Sequence, residues 1–379
     1  MNTRPAAKAD IKTIKTLWEN TFETTPYTGW FFDNAFYSAN TVICEEEGEA
    51  LGCACTSVHT VMADGAPFDA AYIQAVAAAP ENRNDETLNN LCGGLLGFLS
   101  DKNISIAFTV PDSYKLFEKS GFSLCYTYKQ YDIKPDDLPA YGISGKIVRP
   151  GISDPETAKI LQGIYSRFVS DKNGYALRTP ENWRLILDDF SKNFGGRCAV
   201  LKNRRGESIG YMLYIIRDGK MGVYELGYSC HEGLEGLIGF IRSHDTVSSI
   251  SMKMPSDDLL FLNFCDRRMA VTVCPFASAR IIDAKTVLKH FADSAPENLR
   301  IQIVDRLMEQ NNKTFTFTQG DVITIDTDPN VITDIGTFTQ LVLGFLSPEE
   351  AFAANLIKGD VSLLGRLLKK RNTYINMLI

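Results

Sequence analysis

Residues 75–83 read Ala75-Val76-Ala77-Ala78-Ala79-Pro80-Glu81-Asn82-Arg83, a run of small apolar residues stopped by proline and followed by a polar turn. The stretch 68–78 suits a buried strand, and Pro80 ends it because proline has no N–H to give to a ladder. Beyond the turn, Leu88, Leu91, Leu95 and Leu96 fall on one side of a helix predicted over 87–99. A strand that feeds a helix through a short loop presents unpaired N–H groups and a positive dipole end, which can hold a pyrophosphate. Arg83, just ahead of the helix, adds a guanidinium suited to phosphate. The same pattern also describes a plain strand-to-helix connection with a solvated arginine.

Working outward, the pattern alternates strand and helix. Asp10 is a plausible cap for a helix carrying Ile11, Ile14, Leu17, Trp18 and Phe22. Strands are predicted over 40–44 and 51–58, joined by an acidic turn at 45–49. After the helix come a strand over 104–110, a short helix over 113–119 closed by Gly121, and a strand over 126–133. Phe122, following the glycine, is expected to pack inward. Residues 151–275 repeat the theme, with helices at 155–168 and 234–243 and strands at 197–201, 208–216, 222–228 and 247–254. No sequence repeat links the two stretches. From about residue 280, Ile301, Ile303, Phe315, Phe317, Ile323 and Ile325 alternate with polar residues at the strand period. Helices are predicted after them at 337–345, 348–357 and 361–369, and Phe315, Phe317, Leu341, Phe345 and Phe352 read as core. The fold class is therefore α/β followed by α+β.

Composition sets the outer limits. The 379 residues are 45% hydrophobic and 22% charged, an ordinary globular mix that needs no disulfide or metal to fold. The net charge of −7 argues against a nucleic-acid partner, which would require a basic surface. Nine cysteines are scattered with no Cys-x-x-Cys unit, and the four histidines are isolated, so neither a disulfide framework nor a metal site is expected. No apolar signal core opens the chain and no apolar run is long enough to span a bilayer, so the expected setting is the cytoplasm, without membrane contact.

The loop described above and the stretch Pro111-Asp112-Ser113-Tyr114-Lys115-Leu116-Phe117-Glu118-Lys119-Ser120-Gly121-Phe122 together resemble, in order and spacing, the Gcn5-related N-acetyltransferase superfamily. Further along, Gly174, Arg178 and Trp183, then Gly210-Tyr211-Met212-Leu213-Tyr214, Glu225-Leu226 and Pro275-Phe276-Ala277-Ser278-Ala279-Arg280-Ile281-Ile282-Asp283 are similar to the middle domain of one branch, the enhanced intracellular survival protein family. That resemblance covers essentially the whole chain. It implies tandem acetyltransferase-like mixed-sheet domains at 1–150 and 151–279, then a sterol-carrier-like α+β domain at 280–379.

The resemblance also implies an activity, direct transfer of an acetyl group from acetyl-CoA to a primary amine, on a small molecule or a lysine-like side chain. Acetyl-CoA would lie along Val76, Ala77 and Ala78, with Arg83, Asn84 and Thr87 at its pyrophosphate. The base would be the α-carboxylate of Ile379, and the apolar ending Tyr374-Ile375-Asn376-Met377-Leu378-Ile379 fits a packed segment. A terminal extension packed only for stability fits it equally. Where the family has its acid tyrosine, four residues before the glycine, this chain has Phe117. Tyr114, one turn earlier, is a substitute acid or simply a packing tyrosine. Trp30, Asp33 and Phe36 fall at the family's acceptor helix, where aromatic walls and a carboxylate suit a cationic amine; a helix burying its aromatics in the core gives the same pattern. The family's loop glycines are replaced by Glu86 and Leu88, and Asp85 and Glu86 put negative charge beside a pyrophosphate. At a few ångströms such repulsion is on the order of 1 kcal/mol. The alternative is therefore a catalytically degenerate member acting as a ligand-binding or hydrophobic-ligand carrier protein. Family members commonly self-associate, so a homo-oligomer is expected.

Overall fold

A computed structural model of the chain describes residues 1–22, 25–264, 269–318 and 320–377. It forms two compact units, Met1–Tyr126 with Phe276–Thr373, and Thr127–Pro275 with Tyr374–Ile379.

In the first unit, one sheet runs in the order Asn2–Pro5, Thr41–Glu46, Glu49–Ala63, Ala66–Ala78, Ile106–Thr109, then residues 278–281 of the strand Thr272–Ile281. The pairs are antiparallel except between Ala66–Ala78 and Ile106–Thr109, which are parallel. The two long hairpins turn on Glu47-Gly48 and Asp64-Gly65, all four with positive φ, the conformation a two-residue hairpin turn demands. Along the strands the side chains alternate. Val42, Ala54, Ala71 and Ile73 meet Leu91, Leu95, Leu96 and Leu99 of the helix Asp85–Asp101 in one core. The helix Ile11–Thr21 packs on the strands Glu49–Ala63 and Ala66–Ala78.

The same unit holds a second sheet, in the order Asp321–Ile325, Thr314–Thr318, Arg300–Val304, Val331–Asp334, Ile357–Gly359. The helices Ile335–Leu343, Pro348–Ala353 and Val361–Leu367 follow its strands. The helix expected over 348–357 is shorter: it ends at Ala353, Asn355 turns the chain at φ 58°, and Ile357–Gly359 becomes an edge strand on Val331–Asp334. Phe352, expected in the core, is half exposed. The junction between the two sheets is polar and buried. The Ile281 N–H donates to Thr339 Oγ1 at 2.9 Å, and Asn311 both accepts from the Ala284 N–H and donates to the Ile282 carbonyl, each at 2.9 Å.

The second unit repeats the first sheet's topology. Its strands run Lys146–Val148, Arg197–Lys202, Ser208–Arg217, Lys220–Tyr228, Ser249–Pro255, then residues 128–133 of the strand Ser123–Ile133. Again only one pair is parallel, Lys220–Tyr228 with Ser249–Pro255. The helices Pro155–Phe168 and Pro180–Lys192 share a core with Tyr211 and Leu213, while Met212, Tyr214 and Val223 face Leu237, Ile238 and Ile241 of the helix His231–Arg242. The helix Pro180–Lys192 was not among the expected elements, although Trp183, Ile186, Leu187 and Phe190 fall at helical spacing, Thr179 Oγ1 accepts from the Asn182 N–H at 3.1 Å and Pro180 starts it. Among the described residues no helix is long and apolar enough to cross a membrane.

Candidate functional site

In the first unit the decisive geometry lies in the strand Ala66–Ala78. Its parallel pairing with Ile106–Thr109 reaches Tyr72 opposite Phe108 and stops, although the strand continues to Ala78. On its other edge the register steps from Ile73 opposite Thr56 to Ala75 opposite Cys55, so Gln74 is a β-bulge. A bulge bends a strand and increases its twist, which opens the two parallel strands beyond it into a splay. Thr109 Oγ1 donates to the Ile73 carbonyl at 3.1 Å, satisfying in the interior a group the parallel ladder has left. Val76, Ala77 and Ala78, the expected cofactor strand, lie in the splayed stretch. Neither Gln74 nor Thr109 was singled out from sequence, since nothing local marks an extra residue in an apolar run.

The loop leaving this strand makes one short helical turn at Pro80–Asn82 before the helix Asp85–Asp101. Asn84 caps that helix, its Oδ1 accepting from the Thr87 N–H at 2.9 Å. Thr87 is itself buried, and its Oγ1 has no hydrogen-bond partner among the described residues. Arg83 is pinned: Nε donates to the Ala78 carbonyl at 3.1 Å and Nη2 to the Asn20 carbonyl. It thus ties the loop to the strand end and to the first helix. The acidic first turn is partly balanced, because Lys119 Nζ lies 2.7 Å from Asp85 Oδ2 and holds that carboxyl below its usual range.

Tyr114 opens the short helix Tyr114–Glu118, and its hydroxyl donates to the Phe276 carbonyl at 3.1 Å. Burial pushes the phenol above its ordinary value. Phe117, on the same helix, is buried with its ring edge on Phe122 at 5.3 Å, so it is a core residue, and Phe122 packs inward as expected. Gly121, between the two aromatics, has φ +78°, and a Cβ there would lie 2.2 Å from Arg280 Nη1. Arg280 is fully buried. Its Nη1 donates to the Ser120 carbonyl and its Nη2 to Asp305 Oδ2 at 2.6 Å. Asp305 also accepts from the Leu307 and Met308 N–H groups and from Asn311.

The expected acceptor residues separate. Phe31 is fully buried and stacks on Trp18 at 4.6 Å; Trp30 is buried against Tyr27, Phe36 lies 4.9 Å from Phe32, and Asp33 is exposed. Ile379 lies outside the described residues. The side of the sheet that carries Ser57 and Tyr72 adds a cluster no motif had marked. Tyr72 stacks on Phe108 at 5.3 Å, His59 stands edge-on to Tyr72 and tilted against Phe108, and Ser57 Oγ lies 2.9 Å from His59 Nε2. Burial, with Asp112 nearby, pushes the Tyr72 phenol up to about 12. Among the described residues no group of His, Cys, Asp and Glu could hold a metal ion.

Comparison with known proteins divides the chain into three successive stretches. Residues 2–125 match an acetyltransferase (GNAT) domain family, residues 174–281 a second acetyltransferase (GNAT) domain family, and residues 284–376 the sterol carrier protein domain family. The chain therefore carries two GNAT acetyltransferase domains and a sterol carrier protein domain, the make-up of an N-acetyltransferase. Among solved structures it is similar to a conserved protein from Enterococcus faecalis V583 described as a probable N-acyltransferase, at 21% identity and a TM-score of 0.87 over 99% of this chain and 98% of that one. A GCN5-related N-acetyltransferase from Anabaena variabilis gives 16% and 0.82 over 99% and 98%. The likeness to the enhanced intracellular survival proteins holds in fold and domain order: Eis1 from Mycobacterium abscessus gives 19% and 0.80 over the full length of both chains. No curated protein matches the sequence.

Proposed function

We propose that this N-acetyltransferase takes its acyl group from acetyl-CoA and delivers it to a primary amine, on a small molecule or a lysine-like side chain. The observation that carries this reading is the splay beyond Gln74 in the first domain, which leads straight to the start of the helix Asp85–Asp101. Val76, Ala77 and Ala78 would lie along the cofactor's arm, with Arg83, Asn84 and Thr87 near its phosphates. The fit is supported by the orphaned, buried Thr87 hydroxyl and by Lys119, which offsets the charge of Asp85. Acetyl-CoA would supply an activated thioester carbonyl.

The chain's own residues would manage protons and orientation. Tyr114 holds a phenolic proton at neutral pH, and it would have to turn its hydroxyl from the Phe276 carbonyl to a leaving thiolate. The α-carboxylate of Ile379 is the base in this reading, accepting the proton of the attacking amine. Trp30, Phe36 and Asp33 would line the approach of a cationic acceptor, with the aromatic faces attracting it. The competing reading, a degenerate ligand carrier, rested on Glu86 and Phe117, and no feature of the fold favours it.

Calorimetric titration with acetyl-CoA, followed by an amine panel with thiol-release detection, tests the reading. Saturable binding and amine-dependent thiol release are expected, and Tyr114→Phe should lower kcat by about 10²-fold or more if it is the acid. No binding at millimolar acetyl-CoA would overturn it.

A further inference from the structure

The two acetyltransferase domains can be aligned by register alone. In each, the central hairpin turns on Asp-Gly, Asp64-Gly65 and Asp218-Gly219, with positive φ at all four residues. In each, the strand after that turn carries one bulge, at Gln74 in the first domain and at Tyr224 in the second, where Leu213 faces Glu225 and Tyr214 faces Val223. Counting outward from the bulge, Cys55 and Ala75 correspond to Leu213 and Glu225, and Cys53 and Ala77 to Tyr211 and Gly227. In the first domain these four side chains are short. In the second, two of them are large, polar and buried, and they hold a charged network.

Arg178 and Glu225 form a bidentate pair, Nη1 to Oε1 at 2.6 Å and Nη2 to Oε2 at 3.0 Å. The guanidinium lies over the rings of Tyr165 and Trp183, at 4.4 and 4.6 Å, and the Tyr211 hydroxyl donates to Glu225 Oε1 at 2.5 Å. The remaining partners come from the end of the chain. The Asn376 carbonyl accepts from Arg178 Nη2 at 2.7 Å, and its carboxamide donates to Glu225 Oε2 at 2.9 Å and to the carbonyl of the bulge residue Tyr224 at 3.4 Å. Tyr374 completes the seat, its N–H on the Asn173 carbonyl and its ring against Phe168. Removing this segment would strip partners from both members of a buried ion pair, where unpaired polar groups are costly. The phosphate-side loop is also missing here. The strand Lys220–Tyr228 passes to the helix His231–Arg242 through Ser229 and Cys230 alone, and the Ser229 N–H is bonded to the Ile209 carbonyl at 2.9 Å. The first domain uses residues 79–84 for the same passage.

We infer that the cleft of the second acetyltransferase domain is a peptide-binding site, not a second acyl-CoA site. Its ligand is the chain's own segment 374–376, and Arg178 and Glu225 are the pair that recognises it. Arg178 holds the segment by the backbone carbonyl of residue 376, and Glu225 reads the side chain there by accepting from its carboxamide, a donor that neither Asp nor Leu has.

The test uses a chain ending at Thr373 and a fluorescein-labelled peptide of residues 372–377, followed by anisotropy. Saturable binding is expected, with Glu225→Gln in the protein or Asn376→Asp in the peptide weakening it at least tenfold. Equal binding by these variants, or no binding to a truncated chain that melts cooperatively, overturns the proposal. If the truncated chain does not fold, hydrogen exchange on the full chain decides. Asn376→Asp should speed exchange of the Tyr374 amide at least tenfold while the helix Pro155–Phe168 is unchanged, and equal protection overturns the assignment. Acetyl-CoA stoichiometry should be the same for intact and truncated chains, and a second equivalent appearing on truncation sinks the inference. Zero equivalents in both would count against the acetyl-CoA reading of the first domain and leave this one standing.

Discussion

Asp189 shows how a single carboxyl can set a pH dependence. It is fully buried, with Oδ1 accepting from Asn193 Nδ2 at 2.6 Å and Oδ2 without a partner among the described residues. Burial raises its pKa from 3.8 to about 6. Because the folded value is the higher one, the folded state holds this proton more tightly. The contribution to stability is fully present below about pH 4 and is lost as pH rises through 6. A shift of about two units corresponds to on the order of 2–3 kcal/mol. Asp189→Asn keeps the acceptor for Asn193 and removes the charge, so it should stabilise the protein at pH 8 and make little difference at pH 4. Urea midpoints at the two pH values check this, and a gain of equal size at both would show that Asp189 is not the titrating group. Other residues were readable one at a time: Phe122 as inward-packing, Arg83 as lying just ahead of the helix. Asp305 was not readable, because a carboxylate in a loop gives no sign of an arginine at position 280.

At the scale of elements, most strands and helices appear where hydrophobic period and turn residues place them. The strand expected at 68–78 spans Ala66–Ala78, and the helix expected at 155–168 is Pro155–Phe168. The errors differ in cause. The helix Pro180–Lys192 has a cap at Thr179 and carries Trp183, Ile186, Leu187 and Phe190 at helical spacing, a signal that was overlooked, whereas the strand Ile357–Gly359 is decided by its edge partner. The helix Asp85–Asp101 depends on such a cap as well. Asn84→Ala removes the acceptor for the Thr87 N–H and should cost about 1 kcal/mol, the usual value for an N-cap. The expected observation is a lower denaturation midpoint together with faster exchange of the Thr87 amide. An unchanged midpoint would mean that the loop 79–84 is held by Arg83 alone.

At the scale of the whole molecule, the first unit joins its two sheets through Arg280 and Asp305, both fully shielded from solvent. Burial lowers the Arg280 pKa while Asp305 opposes that, and Nε is left without a partner among the described residues. A buried pair of this kind stabilises little over an apolar pair, but breaking it is expensive. Asp305→Asn leaves the guanidinium without its counter-charge and should destabilise the unit by about 3–5 kcal/mol, seen as a large drop in the urea midpoint. Arg280→Met with Asp305→Leu should recover much of the loss, and failure of both the single and the double variant to differ from the parent would remove the pair from the account.

Sequence by itself determined the fold class and the strand-to-helix connection after Pro80, because both depend on local propensity, turn residues and the spacing of apolar side chains, while the order of its motifs carried the resemblance that implies two acetyltransferase-like domains and a sterol-carrier-like one. Tertiary structure alone decided the bulges at Gln74 and Tyr224, the pairing of Arg280 with Asp305, and the seat of Asn376 on Arg178 and Glu225. Those features join positions from 25 to almost 200 residues apart, or turn on the register between strands. Both depend on which surfaces meet after the chain folds, and no window of sequence carries that information.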